Sequence, residues 1–109
     1  MSHFDPATLP RPLADYFAAA DHRNTLSLFA PDARVLDEGA VHVGTSKIAA
    51  WLESVEARYH PRYFVQSADT EGPRTVVSFL VSGTFPGSPV KLRQEIVVEN
   101  DRIASLETL

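Results

Sequence analysis

Asp37 and Glu38 stand back to back at the end of Ala33-Arg34-Val35-Leu36, a run that reads as a short strand. Side chains of an extended chain alternate faces, so Ala33, Val35 and Asp37 share one side while Arg34, Leu36 and Glu38 share the other. One carboxylate therefore keeps apolar company. An acid so placed is either a turn residue reaching water or a partly desolvated carboxyl suited to moving a proton. His42, five residues further on, either orients or shares that proton or belongs to a surface loop.

Two other polar side chains sit in apolar rows. Tyr16 lies on a helical stripe with Leu13, Phe17 and Ala20, where a phenol is either core packing or a buried donor. Gln94 interrupts the row Val90, Leu92, Ile96 and Val98, and a buried amide there either answers backbone groups or marks a polar spot facing a ligand. Trp51, Phe64, Phe79 and Phe85 are candidate walls for an apolar ligand, with core packing as the plainer reading. The four histidines, His3, His22, His42 and His60, are scattered without metal-ligand spacing. No metal is expected. Neither a glycine-rich phosphate loop nor a Gly-x-Ser-x-Gly elbow is present, so no cofactor and no activated nucleophile are expected.

The elements that must position these residues divide the chain in two. Pro10 and Pro12 suit the first turn of a helix carrying Leu13, Tyr16 and Phe17. A second short helix is predicted from Asp21 or Asn24 through Phe29, burying Leu26 and Phe29, with Pro31-Asp32 ending it before the first strand. Thr45 or Ser46 can cap a third helix. Its stripe Ile48, Trp51, Leu52, Val55 and Tyr59 should seat against a sheet, with Lys47, Glu53 and Glu56 mostly off that face and Pro61 closing it.

From Arg62 onward extended segments are separated by turn signals at Glu71-Gly72-Pro73, Phe85-Pro86-Gly87-Ser88 and Asn100-Asp101, which reads as a four-stranded antiparallel meander. Thr75, Val77, Phe79, Val81 and Phe85 should face the core. Helices followed by such a meander imply an α+β domain with helices covering one sheet face. The opposite face, with Val76 and Leu80 beside Arg93 and Glu95, is too mixed for core and too apolar for ordinary surface, and suggests a homodimer through that face.

The whole-chain figures narrow the function classes. A chain of 109 residues supports one domain, 1–109, with one core. Net charge −4, with 44% hydrophobic and 22% charged residues, gives no basic footprint for nucleic acid or an anionic membrane. Without cysteine no disulfide framework or thiol chemistry is available. The first residues lack a signal-peptide pattern and no stretch approaches membrane-spanning length, so the expected compartment is the cytoplasm.

Four segments taken together, YFAAADHRNTLSLFAPDARVLDEG, HVGTSKIAAWLE, FPGSPVKLR and DRIASLETL, resemble the nuclear transport factor 2-like superfamily, in particular its bacterial SnoaL-like and ketosteroid-isomerase-like branches. The resemblance covers nearly the whole chain. It implies a cone-shaped, cystatin-like fold, in which a curved antiparallel sheet wraps around three helices from the first half and leaves a pocket at the open end, commonly in a dimer. In the ketosteroid isomerases a first-helix tyrosine and a second acid donate hydrogen bonds to a forming oxyanion, while an Asp ending the first strand moves the proton. By that resemblance Tyr16 matches the tyrosine, Asp37 the base, and Gln94 the second donor. Gln94 departs from the pattern in being a neutral amide, and the connection after Tyr16 is shorter. The resemblance thus implies an isomerase- or cyclase-like enzyme acting on a small hydrophobic substrate; the alternative is a ligand-binding or dimerisation module of the same fold without turnover.

Overall fold

The computed structural model describes residues 4–109. A 3₁₀ turn at Pro6–Thr8 leads into helix α1 (Arg11–Ala18), a 3₁₀ segment (His22–Leu28), strands β1 (Phe29–Asp37) and β2 (Ala40–Val43), and helix α2 (Thr45–Tyr59). Strands β3 (Arg62–Glu71), β4 (Arg74–Ser82), β5 (Val90–Glu99) and β6 (Arg102–Thr108) complete the chain. All six strands form one sheet in the order β2-β1-β6-β5-β4-β3. Only the β1–β6 pair is parallel, so the meander is as expected while the sheet as a whole is mixed. Strand β2, which the sequence reading did not anticipate, forms one edge.

The fold is an α+β cone. Its sheet bends where extra residues break the ladder: between Phe29 and Arg34, between Val65 and Ser67, and between Val97 and Val98. Such bulges increase local twist and curl a sheet. The first one explains a correction to the sequence reading. Pro31 was expected to separate a helix from the strand, yet it lies inside β1, because the irregular register there asks no ladder hydrogen bond of the proline nitrogen.

The concave face is the core. Thr75, Val77, Phe79 and Val81 of β4 face inward, joined by Gln94 and Ile96 of β5, Ile103 and Leu106 of β6, and Ala33 and Val35 of β1. Helix α1 supplies Leu13, Tyr16 and Phe17, and the Phe17 ring packs 5.1 Å from that of Phe79. It ends at Ala18, so Ala20 falls outside the stripe expected to include it and is exposed.

Helix α2 begins differently from expectation. Neither Thr45 nor Ser46 caps it; the cap position is Gly44 at φ 87°, a conformation that favours glycine. At the other end His60 turns left-handed at φ 44° just before Pro61. Ile48, Trp51 and Leu52 are buried as expected, but so is Glu56, which was expected off the face. It follows Leu52 by one turn, and its Oε1 accepts the backbone N–H of His22 at 3.0 Å. An N–H in the first turn of a helical segment has no partner within that segment, and a carboxylate is a strong acceptor for it. The bond ties α2 to the 3₁₀ segment.

His22 itself is only 1% exposed, with ring centroids of Tyr16 and Tyr63 at 5.5 and 4.5 Å. Burial lowers its pKa, with a smaller push in the same direction from Arg62; the negative charges of Glu56 and Asp21 oppose it without reversing the sign. The unfolded chain therefore takes up this proton first as pH falls. Stability that depends on neutral His22 is complete above the unfolded value of about 6.5 and drains away below it. The wild type should accordingly lose more melting temperature between about pH 7.5 and about pH 5.5 than His22→Phe, which keeps the ring packing without the proton. Parallel losses in thermal melts would show that His22 does not carry the dependence.

Candidate functional site

At the open end of the cone a cavity of about 270 Å³ lies between α2 and the sheet. Trp51, Val55 and Tyr59 form the helical wall. Tyr63, Phe79, Gln94 and Thr108 belong to the sheet wall, with Phe85, Asp37 and Glu38 also lining it.

Asp37 arrives there because it continues the inward face of β1 set by the buried Ala33 and Val35. Its Oδ2 accepts a hydrogen bond from Trp51 Nε1 at 3.1 Å, and no described residue donates to its Oδ1. The indole, 7% exposed, therefore serves both as cavity wall and as the group that fixes the acid. Immediately afterwards Glu38 and Gly39, at φ 52° and 76°, turn β1 into β2 with Asp37 paired to Ala40. Two positive φ values in a two-residue hairpin match the twist of the flanking strands. A glutamate is an unusual occupant. Tyr59 Oη donates to its Oε1 at 2.9 Å and Arg58 Nη1 lies 3.7 Å from its Oε2.

Gln94 lies on the sheet wall, 4% exposed. Its Nε2 donates to Thr108 Oγ1 at 3.1 Å, while its Oε1 is buried without a partner among the described residues. Tyr63 reaches the cavity because β3 alternates: Val65 is also inward, and Phe64 between them points away. Behind Tyr63 stands Tyr16, 1% exposed. Burial raises the Tyr16 pKa well above the usual phenol value, helped by the neighbouring Tyr63 and by the charge of Asp37, with Gln94 acting in the opposite sense. Tyr63 is raised as well, chiefly by burial, with the neighbouring Tyr16 opposing. Both hydroxyls therefore stay protonated and able to donate. For Tyr59 the hydrogen bond to Glu38 is the leading cause of a rise.

Asp37, Gln94, Trp51, Phe79 and Phe85 thus line one cavity, and three other candidates do not. Tyr16 is withdrawn into the core, with Tyr63 lining the cavity instead; the alternation of Tyr63 with Phe64 was the signal available in the sequence. Phe64 is 68% exposed, since its register opposite Leu80 assigns it to the outer sheet face. His42, on edge strand β2, lines a neighbouring groove with Lys47 and Arg58, and Asp37, Glu38, Trp51 and Val55 contribute to both spaces. Its ring lies 6.0 Å from that of Trp51. Among the described residues no three of His, Asp or Glu converge as metal ligands, and His3 lies outside the described residues. No described helix is long and apolar enough to cross a membrane.

No protein-family model matches the sequence, and no curated protein matches it either. Among solved structures, a candidate polyketide cyclase from Sinorhizobium meliloti is 35% identical with a TM-score of 0.89, over 97% of this chain and 100% of that one. The chain belongs to the nuclear transport factor 2-like superfamily. A protein of ketosteroid isomerase-like fold from Catenulispora acidiphila, solved with trimethylamine, is 17% identical with a TM-score of 0.73, over 99% of this chain and 86% of that one. A candidate SnoaL-like isomerase from Agrobacterium tumefaciens is 18% identical with a TM-score of 0.72, over 94% and 93%. At such identities the last two speak for the superfamily fold alone.

The Trp51–Asp37 bond gives the site its first test. Trp51→Phe keeps an aromatic wall but removes the donor to a carboxylate, which should lower unfolding free energy by about 1.5–3 kcal/mol. In an Asp37→Ala background the same change should cost less than about 1 kcal/mol, because the partner is already gone. Equal costs in the two backgrounds, measured by denaturant unfolding, would mean that the bond carries no coupling.

Proposed function

We propose that this protein moves a proton on a small apolar carbonyl compound, in an isomerase- or cyclase-like reaction. The observation that carries the proposal is Asp37, held by Trp51 through Oδ2 while Oδ1 takes no bond from any described residue, on a cavity that Tyr63 also lines. Asp37 removes a proton from the carbon beside the carbonyl, and the electron pair of that C–H bond passes to the carbonyl oxygen as an enolate. The Tyr63 hydroxyl, backed by Tyr16, donates to that oxygen; the second amide proton of Gln94 is a further donor. Return of the proton to a different carbon is an isomerisation, while attack of the enolate carbon on a second carbonyl carbon of the same molecule closes a ring, with the π pair of that C=O passing to its oxygen, which takes the proton from Asp37. Apolar walls exclude water and strengthen each of these interactions. Neither route requires a cofactor.

General-base catalysis of this kind contributes roughly 10²–10⁴-fold. Solvent-deuterium exchange at the acidic carbons of 3-cyclohexenone and ethyl acetoacetate, followed by proton NMR, should be accelerated over buffer. Asp37→Asn should lose about 10²–10⁴ of that acceleration. Its melting temperature should stay near that of the wild type, because the asparagine oxygen still accepts the Trp51 indole. An unchanged exchange rate in this variant would exclude Asp37 as the base. The withdrawal of Tyr16 from the cavity favours one other reading, a ligand-holding module without turnover, and binding with no exchange would establish it.

We also infer that the protein forms a homodimer through the outer sheet face, and that it works in the cytoplasm, since a chain without cysteine needs no oxidising compartment. Exposed Phe64 opposes Leu80 across strands, Val76 lies further along β4, and Arg74 pairs with Glu95 at 2.7 Å. An isologous contact centred on these residues would cover the aromatic ring and set charges of both signs against their own copies. Sedimentation at tens of micromolar should show a dimer, with an interface of roughly 800 Å² per partner, and Phe64→Glu should shift it to monomer. A wild-type monomer under those conditions would rule the dimer out.

A further inference from the structure

We infer that the cavity selects a ligand bearing a protonated amine over its neutral or anionic counterpart. This rests on the cavity being the ligand site, as the proton-transfer reading also holds, and adds the ligand's charge class whether or not turnover follows.

The first support is the lining. Trp51, Tyr59, Tyr63, Phe79 and Phe85 supply five aromatic rings, Asp37 and Glu38 supply two carboxylates, and no Lys, Arg or His among the described residues lines the space. The negative faces of aromatic rings attract cations, more strongly where water is excluded. An anionic ligand would have to leave water for a wall that offers it two like charges, with no countercharge among the lining residues. Arg58 lies over the Tyr59 ring at 4.8 Å and against Glu38. With Lys47 and His42 it lines the neighbouring groove, which shares Asp37, Glu38, Trp51 and Val55 with the cavity, and it pairs with only one of the two acids.

Hydrogen-bond accounting is the second and independent support. Several donors of the lining already serve protein acceptors: Trp51 Nε1 on Asp37, Tyr59 Oη on Glu38 and Gln94 Nε2 on Thr108. Two acceptors are left without a partner among the described residues, Asp37 Oδ1 and the buried Gln94 Oε1, beside the second amide proton of Gln94 and the Tyr63 hydroxyl as remaining donors. An unsatisfied buried carbonyl oxygen bears the full cost of its lost hydration. A ligand N–H removes that cost, and an ammonium has more than one to give. With the ammonium on Gln94 Oε1, Asp37 Oδ1 stays free for the carbon proton and the Tyr63 hydroxyl for a carbonyl oxygen elsewhere on the same ligand, so the charge class does not conflict with the chemistry.

Trp51 is the only tryptophan, so its indole N–H resonance is a unique reporter on the wall of the site. The protein should be titrated with three probes of one shape: cyclohexylmethylamine, protonated at neutral pH, cyclohexylmethanol and cyclohexanecarboxylate. The ammonium should bind at least about tenfold tighter than the alcohol, and the carboxylate more weakly than either. Glu38→Gln keeps an acceptor for Tyr59 but removes a charge, and should reduce the ammonium-to-alcohol ratio; Gln94→Met should reduce it through the lost acceptor. Equal affinities, tighter binding of the carboxylate, or no saturable shift with the ammonium would overturn the inference, and these outcomes need only the wild-type protein. Deuterium exchange on the neutral ketone together with no charge preference would remove this inference and leave the proton-transfer reading. A clear preference without exchange would do the reverse.

Discussion

A curved sheet has more concave surface than its helices can fill, and that mismatch governs the rest of the molecule. Strands β4 and β5, of 9 and 10 residues, each run about 30 Å, whereas α1, of 8 residues, is about 12 Å long. Tyr16 and Phe17 of α1 pack one part of the concavity to crystal-like density. Helix α2, of 15 residues, reaches farther but stands against the β1–β2 end of the same face, with Trp51 on the cavity wall. The cavity is what remains between α2 and the sheet. It follows from element lengths and bulge positions, and residues carried inward near its end necessarily face it.

That geometry decides the fate of the polar groups along the inner face. Deep in the cone, Tyr16, Tyr63, His22, Glu56 and Gln94 are removed from water by the same packing that buries Phe79 and Ile96. Burial of an unpartnered polar group costs about 1–3 kcal/mol, more than a typical hydrogen bond returns, so such groups persist where neighbours satisfy them or where a ligand can. Glu56 Oε1 meets the backbone of His22 and Gln94 Nε2 meets Thr108, while both ring nitrogens of His22, Glu56 Oε2 and Gln94 Oε1 have no hydrogen-bond partner among the described residues. For the two tyrosines desolvation outweighs every hydrogen-bond and charge contribution. They remain neutral donors at the inner end of a cavity whose opposite wall ends in an acid.

Much of this was legible from periodicity. The alternation in β4 and β5 identified the inward rows, including Gln94, and the face shared by Val35 and Asp37 identified the acid. Where reading failed, a tertiary constraint was responsible. Glu56 looked like solvent-facing charge because nothing in its own helix announces the orphan N–H of His22, a partner 34 residues away. Phe64 and Tyr63 are adjacent aromatics, and only the start of β3 decides which one faces inward. Strand β2 is four residues with exposed Val41 and Val43, too short to give a periodic signal and revealed by the turn before it.

That turn shows where local preference gives way to the site. A left-handed glutamate carries a strain of order 1–3 kcal/mol, and Asn, Asp or Gly would relieve it at position 38. The exposed ion pair with Arg58 returns about 1 kcal/mol or less. The Tyr59 bond to a carboxylate returns somewhat more, reduced by the exposure of Glu38. Together they roughly offset the strain without making glutamate the best turn residue. Asparagine would form the turn more readily, but it is shorter and uncharged, so it would neither meet Tyr59 nor add a negative charge beside Asp37. On stability alone the turn does not explain the acid. Aspartate would keep the charge with less strain, so what glutamate adds is reach, its longer side chain meeting both Tyr59 and Arg58.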